Sequence, residues 1–177
     1  ISLLFSDMHM SKIFGETFNE FKNLLKDVHF VKSINNKLDG SRANRAKQIP
    51  KAMDGIIKKL KIIKPNSVLV LGDRSELFSI AIPCLILNIP LIHLYGGDIS
   101  EGSTDNATRY AISMLSNIHL VSNQNSYKNL IKLGIEKHKV YNVGLLSLHQ
   151  IPKKMSVKKN IFKKLYLDIK KKTNKNI

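Results

Sequence analysis

Residues 68–74 read VLVLGDR and residues 91–98 read LIHLYGGD. The first begins with four apolar residues of strand type, the second with three apolar residues around His93, and each ends in a polar turn containing glycine. A strand with no polar alternation suits a central parallel strand buried on both faces. Between the two lies FSIAIPCLILNIP, residues 78–90. Its two prolines and its length, far short of the roughly 20 residues a membrane span needs, make it buried core. Gly72-Asp73-Arg74 forms a turn, and a helix follows it to about Leu87. Working outward, strand and helix signals alternate. Residues 1–5 (ISLLF) read as a short buried strand. Residues 11–26 carry Ile13, Phe14, Phe18, Phe21, Leu24 and Leu25 at helical spacing, and 28–31 suit a strand. Residues 44–64 place Ile49, Met53, Ile56, Ile57, Leu60 and Ile63 on one helical face, ended by Pro65 and Asn66. Downstream, Thr104 and Asp105 cap a helix reaching about Leu115, and 118–121 form a strand. A helix over 123–133 stops at Gly134, and 140–143 form a further strand. Gly144 opens a short segment to Gln150, Pro152 marks a boundary, and 157–172 form a Lys-rich helix. The alternation predicts an α/β domain with a mostly parallel sheet.

The chain has 177 residues, enough for one domain with a sizeable core, and a formal net charge of +16. From Lys153 to Ile177 there are ten lysines and one acid, Asp168, so more than half of the excess lies in this tail. A basic tail can bind nucleic acid or an anionic surface. Here the whole chain is rich in Lys, Asn and Ile, with no arginine cluster or interleaved aromatics to read bases. The tail therefore reads as a solvated helix or linker, and no nucleic-acid or membrane partner is expected. The single cysteine, Cys84, falls inside the apolar run, which indicates core packing. One cysteine excludes an intrachain disulfide and fits a reducing compartment, so a cytoplasmic location is expected. No secretory signal is read, and the absence of an initiator Met predicts that Ile1 is not the natural start.

In parallel α/β sheets ligands bind at the carboxyl ends of the strands. That rule selects residues 72–76 and 93–105. Asp73 either points into the crevice or bonds its own turn. Arg74 and Glu76 either pair or anchor the loop. The second loop, HLYGGDISEGSTDN over 93–106, offers the carboxylates Asp98, Glu101 and Asp105. Paired carboxylates divide acid and base roles when their surroundings push their pKa values apart. The alternative is a solvated loop with Asp105 as a helix cap. Arg109 lies four residues beyond Asp105 on the same helical face, suited to binding phosphate or to pairing with Asp105. His93 is either a site residue or a satisfied structural histidine. The six histidines show no metal-binding spacing, and neither a P-loop nor a GxGxxG is present, so no metal or cofactor is predicted.

At these residues the sequence resembles the UDP-N-acetylglucosamine 2-epimerase family, closest to its hydrolysing branch for sialic- and legionaminic-acid precursors. The resemblance rests on Gly72-Asp73-Arg74, Glu76, His93, Gly96-Gly97, Asp105, Arg109, Ala111-Ile112 and Ser116 to His119. Met8-His9, Ser11, Phe14-Gly15, Thr17 and Asn142-Val143-Gly144 extend it over about residues 1–167. It implies a Rossmann-like parallel sheet with helices on both faces, the N-terminal half of a glycosyltransferase-B-type two-domain enzyme. Residues 1–150 would be that domain without its first strand, and 151–177 an interdomain linker and helix, with the UDP-binding second domain absent. The implied reaction removes the C2 proton of a UDP-2-acetamido sugar, expels UDP and adds water, giving N-acetylmannosamine or a relative. Asp73 and Asp105 would transfer the protons; His9, Arg74, His93, Tyr95, Asp98, Glu101 and Arg109 would contact the substrate. A homo-oligomer is implied for the full-length form. Tyr95 stands where the family usually has Glu or His, Asp98 replaces a Glu, and Asn106 replaces an acid. An unperturbed tyrosine, with a pKa of about 10, is a poor acid or base at neutral pH. The alternative function is a non-catalytic sugar-nucleotide-binding or interaction module.

Overall fold

The computed structural model describes residues 2–5, 9, 12, 15–21, 28–30, 41–101 and 105–147. The chain divides into two compact units, residues 1–144 and 145–177. Of the second, only 145–147 are described. The boundary expected at residue 150 and the Lys-rich helix over 157–172 lie outside the described residues.

The first unit alternates β1 (Leu3–Phe5), α1 (Phe18–Phe21), β2 (Val28–Phe30), α2 (Arg42–Ile63), β3 (Val68–Leu71), α3 (Phe78–Ile86), β4 (Leu91–Leu94), α4 (Asp105–Met114), β5 (Ile118–Val121), α5 (Gln124–Lys132) and β6 (Val140–Asn142). Strands β3 to β6 form a parallel sheet in sequential order, and β1 and β2 a separate parallel pair. Parallel neighbours need a crossover, and right-handed crossovers in sequential order lay α3, α4 and α5 along one face of the sheet. Every strand then ends at the same edge, which gathers the loops after β3, β4 and β5.

Local chemistry sets the helix ends. Ser41 caps α2 by accepting the Asn44 N–H at 3.1 Å, and left-handed Lys64 closes it by donating to the Leu60 carbonyl. Its buried side repeats every fourth residue, through Gln48, Ala52, Ile56 and Leu60. Ile56 and Leu60 pack with Val70 of β3, Ala81 and Cys84 of α3, Leu91 of β4 and Ile112 of α4 to form the main core; Leu4 of β1 packs against it. Burial pushes the Cys84 thiol up to about 11, so this cysteine is an inert core residue. A smaller core joins Val121, Leu130 and Val140. The other side of β3 carries Leu69 and Leu71, both more than half exposed. No helix among the described residues is long and apolar enough to cross a membrane.

Three elements differ from the sequence expectation. Strand β3, expected to be central and buried on both faces, is the end strand of its four-stranded sheet among the described residues and leaves Leu69 and Leu71 exposed on one face. The helix expected from residue 11 begins at Phe18, because Gly15 (φ +83°) and Glu16 (φ +46°) turn the backbone left-handed; residues 22–26 lie outside the described set. The helix after Gly72 is preceded by a tight 3-10 turn, Ser75–Leu77, before α3 begins.

Candidate active site

The loop after β3 turns at Gly72, whose φ of +84° suits glycine and whose N–H donates to the Leu94 carbonyl at 3.0 Å. Asp73 follows. Its carboxylate forms an ion pair with Arg109 of α4; the Arg109 side chain is 7% exposed and that of Asp73 is 29% exposed. Sequence reasoning offered phosphate or Asp105 as the Arg109 partner; within the chain the guanidinium pairs with Asp73. Arg74 pairs with Glu76 at 2.5 Å, which anchors the loop to itself. Burial alone would raise the Glu76 carboxyl, but hydrogen bonding and the charge of Arg74 outweigh it and hold the group below its ordinary value.

Beneath this loop lies His93, completely buried. Its Nε2 is 2.7 Å from the Gly72 carbonyl, which can only accept, so Nε2 carries the proton. Its Nδ1, 2.9 Å from Ser113 Oγ, then accepts from the hydroxyl. Burial lowers the imidazole pKa; the Gly72 hydrogen bond opposes this, the Arg109 charge adds to it, and the Asp73 charge opposes it. Neutral His93 thus joins the β3 loop to α4 as the floor of the site. Gly96 must be glycine here, since a Cβ would stand 2.7 Å from Ser113 Oγ and 2.8 Å from His93 Nδ1.

The loop after β4 is fastened at successive positions. Tyr95 holds a left-handed φ of +65° and donates its N–H to the Leu120 carbonyl at 2.8 Å. A non-glycine residue in that region stores strain, a feature that clusters at functional sites. Asn129 of α5 donates to the Gly97 carbonyl at 2.9 Å. The Asp98 carboxylate accepts from Ser122 Oγ at 3.0 Å, from Asn123 Nδ2 at 3.4 Å and from Ser126 Oγ. The Asp98 carbonyl accepts from Arg109 Nη1 at 2.6 Å. Asn106 clamps Ser100 on both sides, accepting its N–H at 2.9 Å and donating to its carbonyl at 2.7 Å. Asp98, expected as a substrate contact, is therefore directed to the start of α5.

His9, Glu101 and Asp105 are all exposed. His9 Nδ1 lies 2.8 Å from Thr17 Oγ1. Glu101 lies in the loop, and Asp105 is the first residue of α4. Among the described residues no three His, Cys, Asp or Glu side chains gather to hold a metal ion. Sequence reasoning missed Ser113, Ser122, Asn123, Ser126 and Asn129. The signal for three of them was the Ser-Asn-rich run SNQNS at 122–126, which also follows a strand end.

A family profile described as UDP-N-acetylglucosamine 2-epimerase matches residues 1–177. The GDP/UDP-N,N'-diacetylbacillosamine 2-epimerase (hydrolyzing) of Campylobacter jejuni is 33% identical over 148 residues, covering 83% of this chain and 38% of that protein. The UDP-N,N'-diacetylbacillosamine 2-epimerase (hydrolyzing) of Legionella pneumophila is 31% identical over 166 residues, covering 94% and 44% respectively. The chain spans less than half the length of these curated relatives. Among solved structures, the UDP-GlcNAc 2-epimerase of Neisseria meningitidis bound to UDP-GlcNAc matches with a TM-score of 0.62 at 22% identity, over 78% of this chain and 37% of that one. That likeness establishes a common fold. With the profile matched from end to end, the chain belongs to the UDP-N-acetylglucosamine 2-epimerase family.

Proposed function

We propose that this chain forms the N-terminal catalytic half of a hydrolysing UDP-sugar 2-epimerase, with a Rossmann-like domain over 1–150 and an interdomain segment over 151–177. The observation that carries the reading is a partly exposed carboxylate, Asp73, set on a buried guanidinium at the carboxyl ends of the strands. In the proposed reaction a carboxylate takes the C2 proton of a UDP-2-acetamido sugar. The electron pair forms the C1=C2 bond, and UDP leaves with the electrons of the C1–O bond. Water then adds to the glycal, its hydroxyl to C1, while a proton reaches C2 from the opposite face. The products are UDP and the free 2-epimer. Asp73 and Asp105 are assigned the proton transfers; His9, Arg74, Tyr95 and Glu101 stand on the surrounding loops for substrate contact. The reading includes a cytoplasmic homo-oligomer, checked by light scattering of the purified protein.

The test uses the product of the complete reading frame containing this chain. It is incubated in D2O with UDP-N-acetylglucosamine and, separately, with UDP-N,N'-diacetylbacillosamine, the sugar named for its relatives. The expected result is release of UDP and of a free 2-epimerised sugar carrying deuterium at C2. Asp73→Asn and Asp105→Asn are each expected to lower turnover by about a hundredfold or more, the scale of a lost general acid or base. Binding heat without UDP release would turn the reading to a sugar-nucleotide-binding module, for which Tyr95 is the sequence argument.

A further inference from the structure

Asp98 lies between two structures that both depend on its position. Its carboxylate receives Ser122, Asn123 and Ser126 at the start of α5. That helix end is itself fixed, because Asn123 Oδ1 accepts the N–H groups of Asn125 at 2.8 Å and Ser126 at 3.0 Å. An anion also suits the positive end of a helix dipole. On its other side, the Asp98 carbonyl holds Arg109 Nη1 at 2.6 Å while Nη2 of the same guanidinium holds Asp73. A guanidinium is a rigid planar fork, so the carbonyl that fixes one arm sets the direction of the other. Asn106 steadies the same arm, with Oδ1 3.2 Å from Nη1.

We propose that Asp98 is a positioning residue: pinned by Ser122, Asn123 and Ser126, it sets Arg109 and, through Arg109, the Asp73 carboxylate. The loops after three successive strands then act as one unit, and the first turn of α5 contributes to the geometry of a site it does not line. The consequence for catalysis rests on the 2-epimerase reading; the mechanical link does not.

The link is read on the Arg109 Nε–H, which is buried and has no partner among the described residues. The chain has four arginines, Arg42, Arg45, Arg74 and Arg109, so a spectrum of 15N-arginine-labelled protein resolves this group. Ser126→Ala is expected to speed its exchange with water about tenfold, the scale of one lost hydrogen bond to a charged group, with amide signals of the sheet retained. Ser126→Thr, which keeps the hydroxyl, restores slow exchange, and the milder Ser122→Ala gives a smaller change in the same direction. In the product of the complete reading frame, Ser126→Ala lowers kcat about tenfold with KM nearly unchanged. Unaltered exchange in both alanine variants overturns the proposal. So does a raised KM at constant kcat in Asp98→Asn, which marks a direct substrate contact. Absence of turnover by the unsubstituted protein counts against the UDP-sugar reading alone, because exchange reports the link without substrate.

Discussion

Gly97→Ala is expected to destabilise the fold by about 4 kcal/mol, from two costs that add at one atom. The backbone of Gly97 sits at φ +80°, where a Cβ meets the carbonyl oxygen that follows it, at roughly 1–2 kcal/mol. The new Cβ would also stand 2.4 Å from the Ser126 carbonyl oxygen and 2.9 Å from Leu130 Cγ. The first contact is with helix backbone, which cannot swing aside as a flexible side chain does. Relief requires the loop and α5 to separate, which breaks the Asn129 bond to the Gly97 carbonyl and strains the hold on Asp98. Overpacking of this kind costs about 1–3 kcal/mol. Gly134→Ala is the matched control: its φ is +97°, yet nothing lies within 4 Å of an added Cβ. It should lose only the conformational part. Urea unfolding of both variants gives the difference directly, and equal losses would show that the close approach of the β4 loop to α5 carries no energy.

That contact also shows where sequence reasoning stops. The strands at Val68–Leu71 and Leu91–Leu94 were legible because short, mostly apolar runs ending in a glycine turn have few other uses. The glycine pair was legible as part of a polar turn, but not as a close approach, nor was its neighbour. Ser126 and Leu130 lie about 30 residues downstream, and only the parallel order of β4 and β5 brings them near. Ser122, Asn123 and Ser126 read locally as a helix start, which they are; their second use on Asp98 exists only in the fold. The rule that selected the loops after β3 and β4 applied equally to the loop after β5, whose SNQNS run it would have included. His93 was ambiguous for a different reason. Residues in a strand buried on both faces show no alternation, so sequence cannot say whether a polar member faces ligand or core. Gly15 and Glu16 hid a third error, since apolar spacing alone continued a helix through a left-handed turn.

Acidification should remove about 3 kcal/mol of stability between pH 6.5 and pH 4, and His119 is the main source. His119 stands beside His93 on the neighbouring strand, 1% exposed, and its Nδ1 has no partner among the described residues. Burial, aided by the charges of His93 and Lys139, lowers its pKa to about 4 from the ordinary 6.5. The folded value lies below the unfolded one, so between them the unfolded chain binds more protons. The stabilisation is therefore complete above pH 6.5, shrinks as pH falls and is lost by about pH 4. His93, lowered by its own burial, adds in the same direction from the same upper limit. Glu76 enters later, because its depressed carboxyl begins to cost stability only below its ordinary value of 4.5. His119→Leu separates these contributions. It removes the titrating ring and an unpartnered buried nitrogen at similar volume, so stability at pH 7 should hold while the loss between pH 6.5 and pH 4 shrinks to the His93 share. Urea midpoints at pH 7, 5.5 and 4.5 for both proteins provide the comparison. Parallel curves would mean that His119 keeps its proton in the core, with its charge met by a partner, and would remove the burial argument at its root.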